Sequence, residues 1–269
     1  MATSVLQRNN VNVLGNGKQT LVFAHGFGSD QTAWRHQVAA LASKYRIVLF
    51  DHVGAGKSDF NAYSPRRYSS LHSYAEDLLE VCYELKLKNC LLVGHSVSGM
   101  VSMLAALEDP ELFSHLIFVS ASPRYLNDTG YVGGFEQSDL DAFYAAMSSN
   151  YHAWASGFAP IAMGNPERPE LATEFANTLS AIRPDIAIAV ARVIYQSDHR
   201  AELSRLKVPT LVLQSNNDVA VPTEVGTYIS RNVSTSKLLP IAANGHLPHM
   251  SSPDVVTSAI AKVAAAAWN

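Results

Sequence analysis

Short runs of almost wholly apolar residues recur along this chain, and what lies between them decides the fold class. Thr20–Ala24, Arg46–Phe50, Cys90–Val93, Leu116–Val119 and Thr210–Gln214 are such runs. Apolar stretches this short, without polar alternation, predict strands covered on both faces. Lys237–Ile241 is a further strand-like stretch. The segments between them carry a helical period instead. In Ser73–Leu87, the residues Ala75, Leu78, Leu79, Cys82 and Leu85 share one helical face, and Ser73 with Glu76 has the pattern of a capping box. Strand–helix alternation of this kind predicts an α/β fold built on a mostly parallel, doubly wound sheet.

The alternation stops between residues 123 and 199, a stretch too long to be a loop in a compact domain. It has helical patterns at Ser138–Asn150, Glu170–Ala181 and Pro184–Ser197, the last with a proline near its start. It also holds Tyr125, Phe135, Phe143, Tyr144, Tyr151, Trp154, Phe158 and Phe175. We read residues 123–199 as a helical lid inserted into a core made of residues 1–122 and 200–269. Many of these aromatics must serve ordinary packing, but an insertion this aromatic and weakly charged also points to an apolar cavity beneath it.

The chain has 269 residues and a net charge of −3, with no basic run longer than Arg66-Arg67. That excludes a field suited to nucleic acid or an anionic membrane. The two cysteines, Cys82 and Cys90, fall in apolar patterns and read as small buried hydrophobes. No secretory signal or membrane span is visible. A cytoplasmic protein is the expectation, or one also nuclear in a eukaryote.

Gly94-His95-Ser96-Val97-Ser98-Gly99 follows directly on the run Cys90–Val93, and a helical pattern follows it. This is the strand–turn–helix setting of a nucleophile elbow, G-x-S-x-G, with Ser98 where the motif has glycine. The turn lifts a serine hydroxyl to the start of a helix, where backbone amides favour developing negative charge. A hydroxyl is a poor nucleophile at neutral pH and needs a base oriented by an acid. In this arrangement the chain order is Ser, acid, His. Asp218 follows the run Thr210–Gln214, and His246 follows Lys237–Ile241. Ser96, Asp218 and His246 are therefore the candidate catalytic residues. His249 is three residues from His246, but Gly245 beside His246 permits the sharper loop. His95 adjoins Ser96, but the elbow aims neighbouring side chains elsewhere. Asp51 precedes the serine, which is the wrong order, and Asp198 precedes the strand.

Acyl transfer also needs donors for an oxyanion. His25-Gly26-Phe27-Gly28 follows the run Thr20–Ala24, and the backbone N–H groups of Phe27 and Val97 are the candidates. Gly54–Ser58 fails as a phosphate-binding loop because Asp51 stands where glycine is required. His246 and His249 lack the glutamate of a zinc-protease helix, and no Cys–His cluster has metal-ligand spacing. No metal or organic cofactor is expected.

The motifs carry a resemblance beyond the elbow. His25–Gly28, Gly94–Met100, Tyr125–Asp128, Gly133–Glu136, Ser149–Tyr151, Gly157–Pro160, Arg183–Asp185, Ser197–Arg200 and Gly245–Pro248 resemble one branch of the α/β hydrolases. That branch holds the karrikin-insensitive butenolide receptors, the strigolactone receptors and the bacterial stress regulator RsbQ. The resemblance covers nearly the whole chain. It implies a four-helix lid over a small apolar pocket floored by Ser96. By motif match, Phe27, His95, Val97, Tyr125, Phe135, Trp154, Phe158 and Tyr195 would line that pocket. It also implies slow hydrolysis of small esters or butenolide lactones, coupled to signalling through a partner at the lid, an F-box protein or a phosphatase in different relatives. The rival readings are a general metabolic carboxylesterase and a ligand-binding regulator whose catalysis is dispensable.

Overall fold

The computed structural model describes residues 3–267. A short helix α1 (Val5–Arg8) leads into β1 (Asn12–Leu14), followed by β2 (Thr20–Ala24), α2 (Arg35–Leu41), β3 (Arg46–Leu49), α3 (Leu71–Glu84), β4 (Cys90–His95), α4 (Val97–Glu108) and β5 (Phe113–Val119). Four helices come next: α5 (Gln137–Ser149), α6 (Tyr151–Met163), α7 (Pro169–Ser180) and α8 (Pro184–Tyr195). The chain then returns as β6 (Thr210–Asn217), α9 (Thr223–Asn232), β7 (Ser236–Asn244), α10 (Pro248–Ser251) and α11 (Pro253–Ala267).

The strands form one sheet in the order β1-β3-β2-β4-β5-β6-β7. Only β1 runs antiparallel to its neighbour; the other pairs are parallel. Successive side chains point to opposite faces. On β2, Val22 and Ala24 join one apolar cluster, while Leu21 and Phe23 join another. The same split repeats on β4, with Leu92 on the first face and Leu91 and Val93 on the second. The first face is covered by α3 and α4 through Leu78, Cys82 and Val101, the second by α2 and α11 through Leu41, Val256 and Ile260. Burial on both faces is why these runs carry no polar alternation.

Strand order also places the site. From β2 the chain crosses to β3 on one side, and from β3 it crosses to β4 on the other. The loops leaving the carboxyl ends of β2 and β4 therefore diverge and leave a crevice, the usual binding position in open α/β sheets. The loop from Gly26 and the turn at Ser96 both open there.

One sequence expectation changes in the folded chain, and two elements form where local pattern is weak. The helix expected from Ser73 starts at Leu71, so Ser73 lies inside the first turn and donates to Arg67 O at 2.5 Å instead of capping. The insertion has four helices, as the resemblance implies, one more than the patterns visible locally. The fourth, α6, is obscured by Gly157 and Pro160, both poor helix residues, and the fold tolerates Pro160 within it. Finally β1 appears in a polar segment with all three residues exposed. Its pairing with β3 supplies the order that its own sequence does not.

The inserted helices pack in two ways. Leu140 and Tyr144 of α5 and Ile186 and Ala191 of α8 extend the first core cluster. Ala155, Ala159 and Met163 of α6 pack with Phe175 and Leu179 of α7 and with Leu247 and Met250 beyond β7. No helix among the described residues is long and apolar enough to cross a membrane.

Candidate active site

Ser96 sits between β4 and α4 with φ 55° and ψ −124°, a sparsely populated conformation for a residue with a side chain. Its amide donates to Val119 O at 2.8 Å, and its carbonyl accepts from Gly99 at 2.9 Å. The turn has no room beside it. A Cβ at Gly94 would collide with the Ser98 carbonyl, and one at Gly99 would collide with the Ala121 side chain. Ser98 needs no such space. Its Oγ donates to His25 O at 2.5 Å and so ties the elbow to the loop after β2. The serine that departs from the motif is thus a tether between two loops of the site.

That tether assigns the protons of two histidines. Ser98 has one hydroxyl proton, given to His25 O, so His52 must donate from Nε2 to Ser98 Oγ at 2.7 Å. The His52 amide donates to His25 Nε2 at 3.0 Å, which leaves the His25 proton on Nδ1 to donate to Gly26 O at 2.9 Å. Burial, then the neighbouring His25, hold the His52 pKa well below its ordinary value. The ring is neutral and acts as a fixed prop.

Ser96, Asp218 and His246 come from three loops into one hydrogen-bond chain. His246 Nε2 lies 2.8 Å from Ser96 Oγ, and His246 Nδ1 lies 3.0 and 2.9 Å from the two Asp218 oxygens. The Asp218 side chain is fully buried. Burial alone would raise its pKa, but the His246 charge, the His246 hydrogen bond and the amides of Ala220 and Val221 outweigh it and lower the pKa. The two amides donate to Oδ1 at 2.9 and 3.1 Å. An ionised Asp218 accepts from His246 Nδ1, so Nε2 is bare and accepts the Ser96 hydroxyl proton. Gly245, at φ +81°, lets the chain turn just before His246, where a Cβ would strike the Met163 carbonyl.

The oxyanion candidates lie beside this chain. Val97 opens α4, where an N–H has no partner inside the helix. Phe27 and Val97 both line a cavity whose walls include Gly26, Leu71, Tyr74, Val101 and Ile194 and which is almost entirely apolar.

One ring of the inserted segment, Tyr125, reaches Ser96; Phe135, Trp154, Phe158 and Tyr195 form an aromatic group continuous with it and, like Tyr125, are not among the walls of that cavity. Tyr125 is 2% exposed, and its hydroxyl lies 3.2 Å from Ser96 Oγ. Burial raises its pKa, against the Ser96 hydrogen bond, so it stays a phenol. Tyr195 stands 4.9 Å from the Tyr125 ring and 5.7 Å from Phe135, and Trp154 stacks on Phe158 at 5.2 Å. Phe143 links the two groups, with its ring 5.2 Å from Tyr195, 5.1 Å from Trp154 and 5.5 Å from Phe158. In the sequence Phe143 is one of the lid aromatics, and its place beside Leu140 and Tyr144 on α5 does not say which ring meets Tyr195, Trp154 and Phe158.

His95 is placed otherwise than the resemblance implies. It is 1% exposed, with its ring 4.4 Å from His249 and 5.0 Å from His246. It faces the packed interior rather than the aromatic group above Ser96. Among the described residues, no cluster of three or more His, Cys, Asp or Glu could hold a metal ion.

The matches with known proteins agree with this architecture. Residues 21–259 match the alpha/beta hydrolase family. The chain is 47% identical over 253 residues to the Karrikin insensitive 2 receptor CA of Petunia hybrida, covering 94% of each. It is 42% identical over 255 residues to the Strigolactone esterase RMS3 of Pisum sativum, covering 94% of this chain and 95% of the other. A solved hydrolase from Oleispira antarctica superposes with a TM-score of 0.94 at 35% identity, over 97% of each chain. The chain belongs to the α/β-hydrolase family, in the group that contains the karrikin-insensitive receptors and the strigolactone esterases.

Proposed function

We propose that this protein is a serine hydrolase that opens small esters or butenolide lactones beneath the inserted helices, slowly and as part of a signalling role. The observation that carries the reading is the hydrogen-bond chain Asp218–His246–Ser96, with the Tyr125 ring of the inserted aromatic group at its serine end. Relatives named as receptors and as esterases at 42–47% identity support the substrate class.

In this reading Ser96 Oγ attacks the carbonyl as His246 Nε2 takes its proton. Asp218 holds the His246 proton on Nδ1 and stabilises the imidazolium. The N–H groups of Phe27 and Val97 receive the oxyanion, each such donor contributing about 3 kcal/mol to transition-state stabilisation. The Tyr125 phenol, within reach of Oγ, is a further donor to the same region. His246 then protonates the departing oxygen. Water activated by the same imidazole cleaves the acyl-serine and frees the enzyme. The apolar cavity excludes bulk water and strengthens these polar contacts.

Residues 123–199 act in this reading as a lid whose outer surface meets a protein partner of the F-box or phosphatase type. A fluorophosphonate should add one adduct at Ser96 in an intact-mass spectrum. No adduct, or one elsewhere, sinks the hydrolase reading. A screen of butenolides, strigolactone analogues and short-chain esters by thermal shift and hydrolysis separates the roles. Turnover over minutes with a ligand-induced shift supports the receptor-hydrolase, and turnover above about 10 s⁻¹ supports a metabolic esterase.

A further inference from the structure

His95 immediately precedes the nucleophile, yet it neither lines the cavity nor touches the Ser96 hydroxyl. It is the last residue of β4 and is paired with Val119 of β5, so its backbone belongs to the rigid sheet. Its Nε2 lies 2.7 Å from the backbone oxygen of His246. A carbonyl only accepts, so Nε2 carries the proton and donates. The other face of the ring is equally constrained, since a Cβ on Gly26 would press against Nδ1 and Cε1. One imidazole therefore touches the oxyanion loop and the His246 loop, and its own backbone carries the elbow.

The His246 backbone is held from two sides. Its amide donates to Ala162 O of α6 at 2.8 Å, and its carbonyl accepts from His95. Its side chain is held at Nδ1 by Asp218. Of these three holds, only His95 comes from the strand that carries the nucleophile. We propose that His95 is a positioning residue, whose Nε2–H···O=C bond fixes the His246 loop against the elbow so that His246 Nε2 stays within reach of Ser96 Oγ. The proposal rests on the hydrolase reading above.

A different role, a proton relay through stacked imidazoles, fits the structure less well. His95 Nδ1 and both nitrogens of His249 have no hydrogen-bond partner among the described residues. Burial, then the His246 charge, push the His95 pKa down to about 3, and burial holds His249 well below its ordinary value. Rings without a hydrogen-bonded path between them do not pass protons. A neutral ring with one fixed donor is suited to holding a loop.

Two substitutions separate the donor from the ring. His95→Phe keeps a planar ring and removes the N–H, whereas His95→Gln replaces the ring and can return an N–H at similar reach. On p-nitrophenyl acetate, His95→Phe should lower kcat about 100-fold, the usual effect of misplacing a catalytic group by about an ångström. KM should stay within about threefold on the same argument, because the substrate cavity is untouched. His95→Gln should recover at least about tenfold of the lost kcat. Fluorophosphonate labelling should slow in parallel with kcat. A kcat for His95→Phe within about threefold of wild type overturns the proposal, as does an equal loss in the two variants, which would mean packing. If His95→Phe does not fold, nitrogen NMR of the wild-type protein decides. A proton on His95 Nε2 with through-bond coupling to the residue 246 carbonyl supports the contact, and a proton on Nδ1 overturns it. Wild-type protein that neither hydrolyses nor labels would sink the hydrolase reading instead, a result distinct from an active wild type indifferent to residue 95.

Discussion

The loops at the strand ends and the helices inserted above them are built from different interactions. Around Ser96 the contacts are polar, short and individually assignable. Ser98 holds the His25 carbonyl, His52 holds Ser98, His95 holds the His246 carbonyl, and two amides hold Asp218. Above it, α5, α6 and α8 meet through rings at 5–6 Å, contacts that prefer some geometries but demand none. Polar links also join the two: the His246 amide donates to Ala162 O, Tyr125 meets Ser96 Oγ, Asn165 donates to Asn244 O, Arg35 grips Glu174 through both carboxylate oxygens, Thr178 donates to Gly28 O, and Arg168 donates to Ser251 O. The difference teaches where chemistry and selectivity reside. A hydrogen-bonded loop has one working position, so in the proposed reading the reaction is set there. An aromatic group can be resized without moving Ser96, so the same reading assigns ligand choice to it.

The largest expected effect tests the polar half. Ser96→Ala should abolish hydrolysis, a loss on the order of 10⁶ in kcat, with an unchanged melting temperature. Residual turnover within about tenfold of wild type would mean that the chemistry lies elsewhere. Asp218→Asn should follow, at about 10⁴ in kcat, because an amide no longer fixes the His246 tautomer. A loss below about tenfold would show that the carboxylate does not orient the imidazole.

The aromatic half should respond in kind rather than in rate alone. Phe143→Ala removes the ring that joins Tyr195 to Trp154 and Phe158, at a stability cost below the ~3 kcal/mol of a fully buried ring because Phe143 is partly exposed. The prediction is a rise in kcat/KM for longer acyl chains relative to acetate, measured across an ester series. An unchanged chain-length profile would break the proposed division of labour.

Buried imidazoles give the polar half a pH signature. His52, His95 and His249 all have folded pKa values below the unfolded value near 6.5. Above that value both states are neutral and nothing is lost. As pH falls through about 6.5 toward the lowered folded values, the unfolded chain binds protons that the folded chain refuses, and stability drops by about 1 kcal/mol per pH unit for each such group. Melting curves between pH 7.5 and 4.5 should fall accordingly, and His249→Phe should flatten the slope. A melting temperature constant down to pH 4.5 would contradict the burial argument. The smallest effect concerns the links between the halves. Arg35→Ala should cost under about 1 kcal/mol, since both partners of that ion pair are partly exposed. A larger loss by thermal melt would make the pair a genuine latch.

Local pattern was sufficient to expect the sheet, because the runs of β2 to β6 are apolar and mostly buried, while the edge strand β7 is largely exposed and carries a weaker signal. It was also sufficient to nominate Ser96, Asp218 and His246, since each follows a strand in the order such sites require. Helix α6 was not legible locally, because Gly157 and Pro160 argue against a helix that packing against α7 and Leu247 nonetheless stabilises. The role of Ser98 was hidden for a similar reason. Read alone it is a motif position without its glycine, and only the approach of the β2 loop gives its hydroxyl an acceptor.

What the amino-acid order determined by itself is most of the elements, α6 and β1 excepted, because hydrophobic period and turn chemistry act over a few residues. What tertiary structure alone decided is which distant groups meet. That Asp218 reaches His246, that His95 grips the His246 backbone rather than lining the cavity, and that Phe143 joins the aromatic group all depend on ångström distances between segments far apart in the chain. Hydrogen bonds and ring contacts fall off over those distances, and no local pattern encodes them.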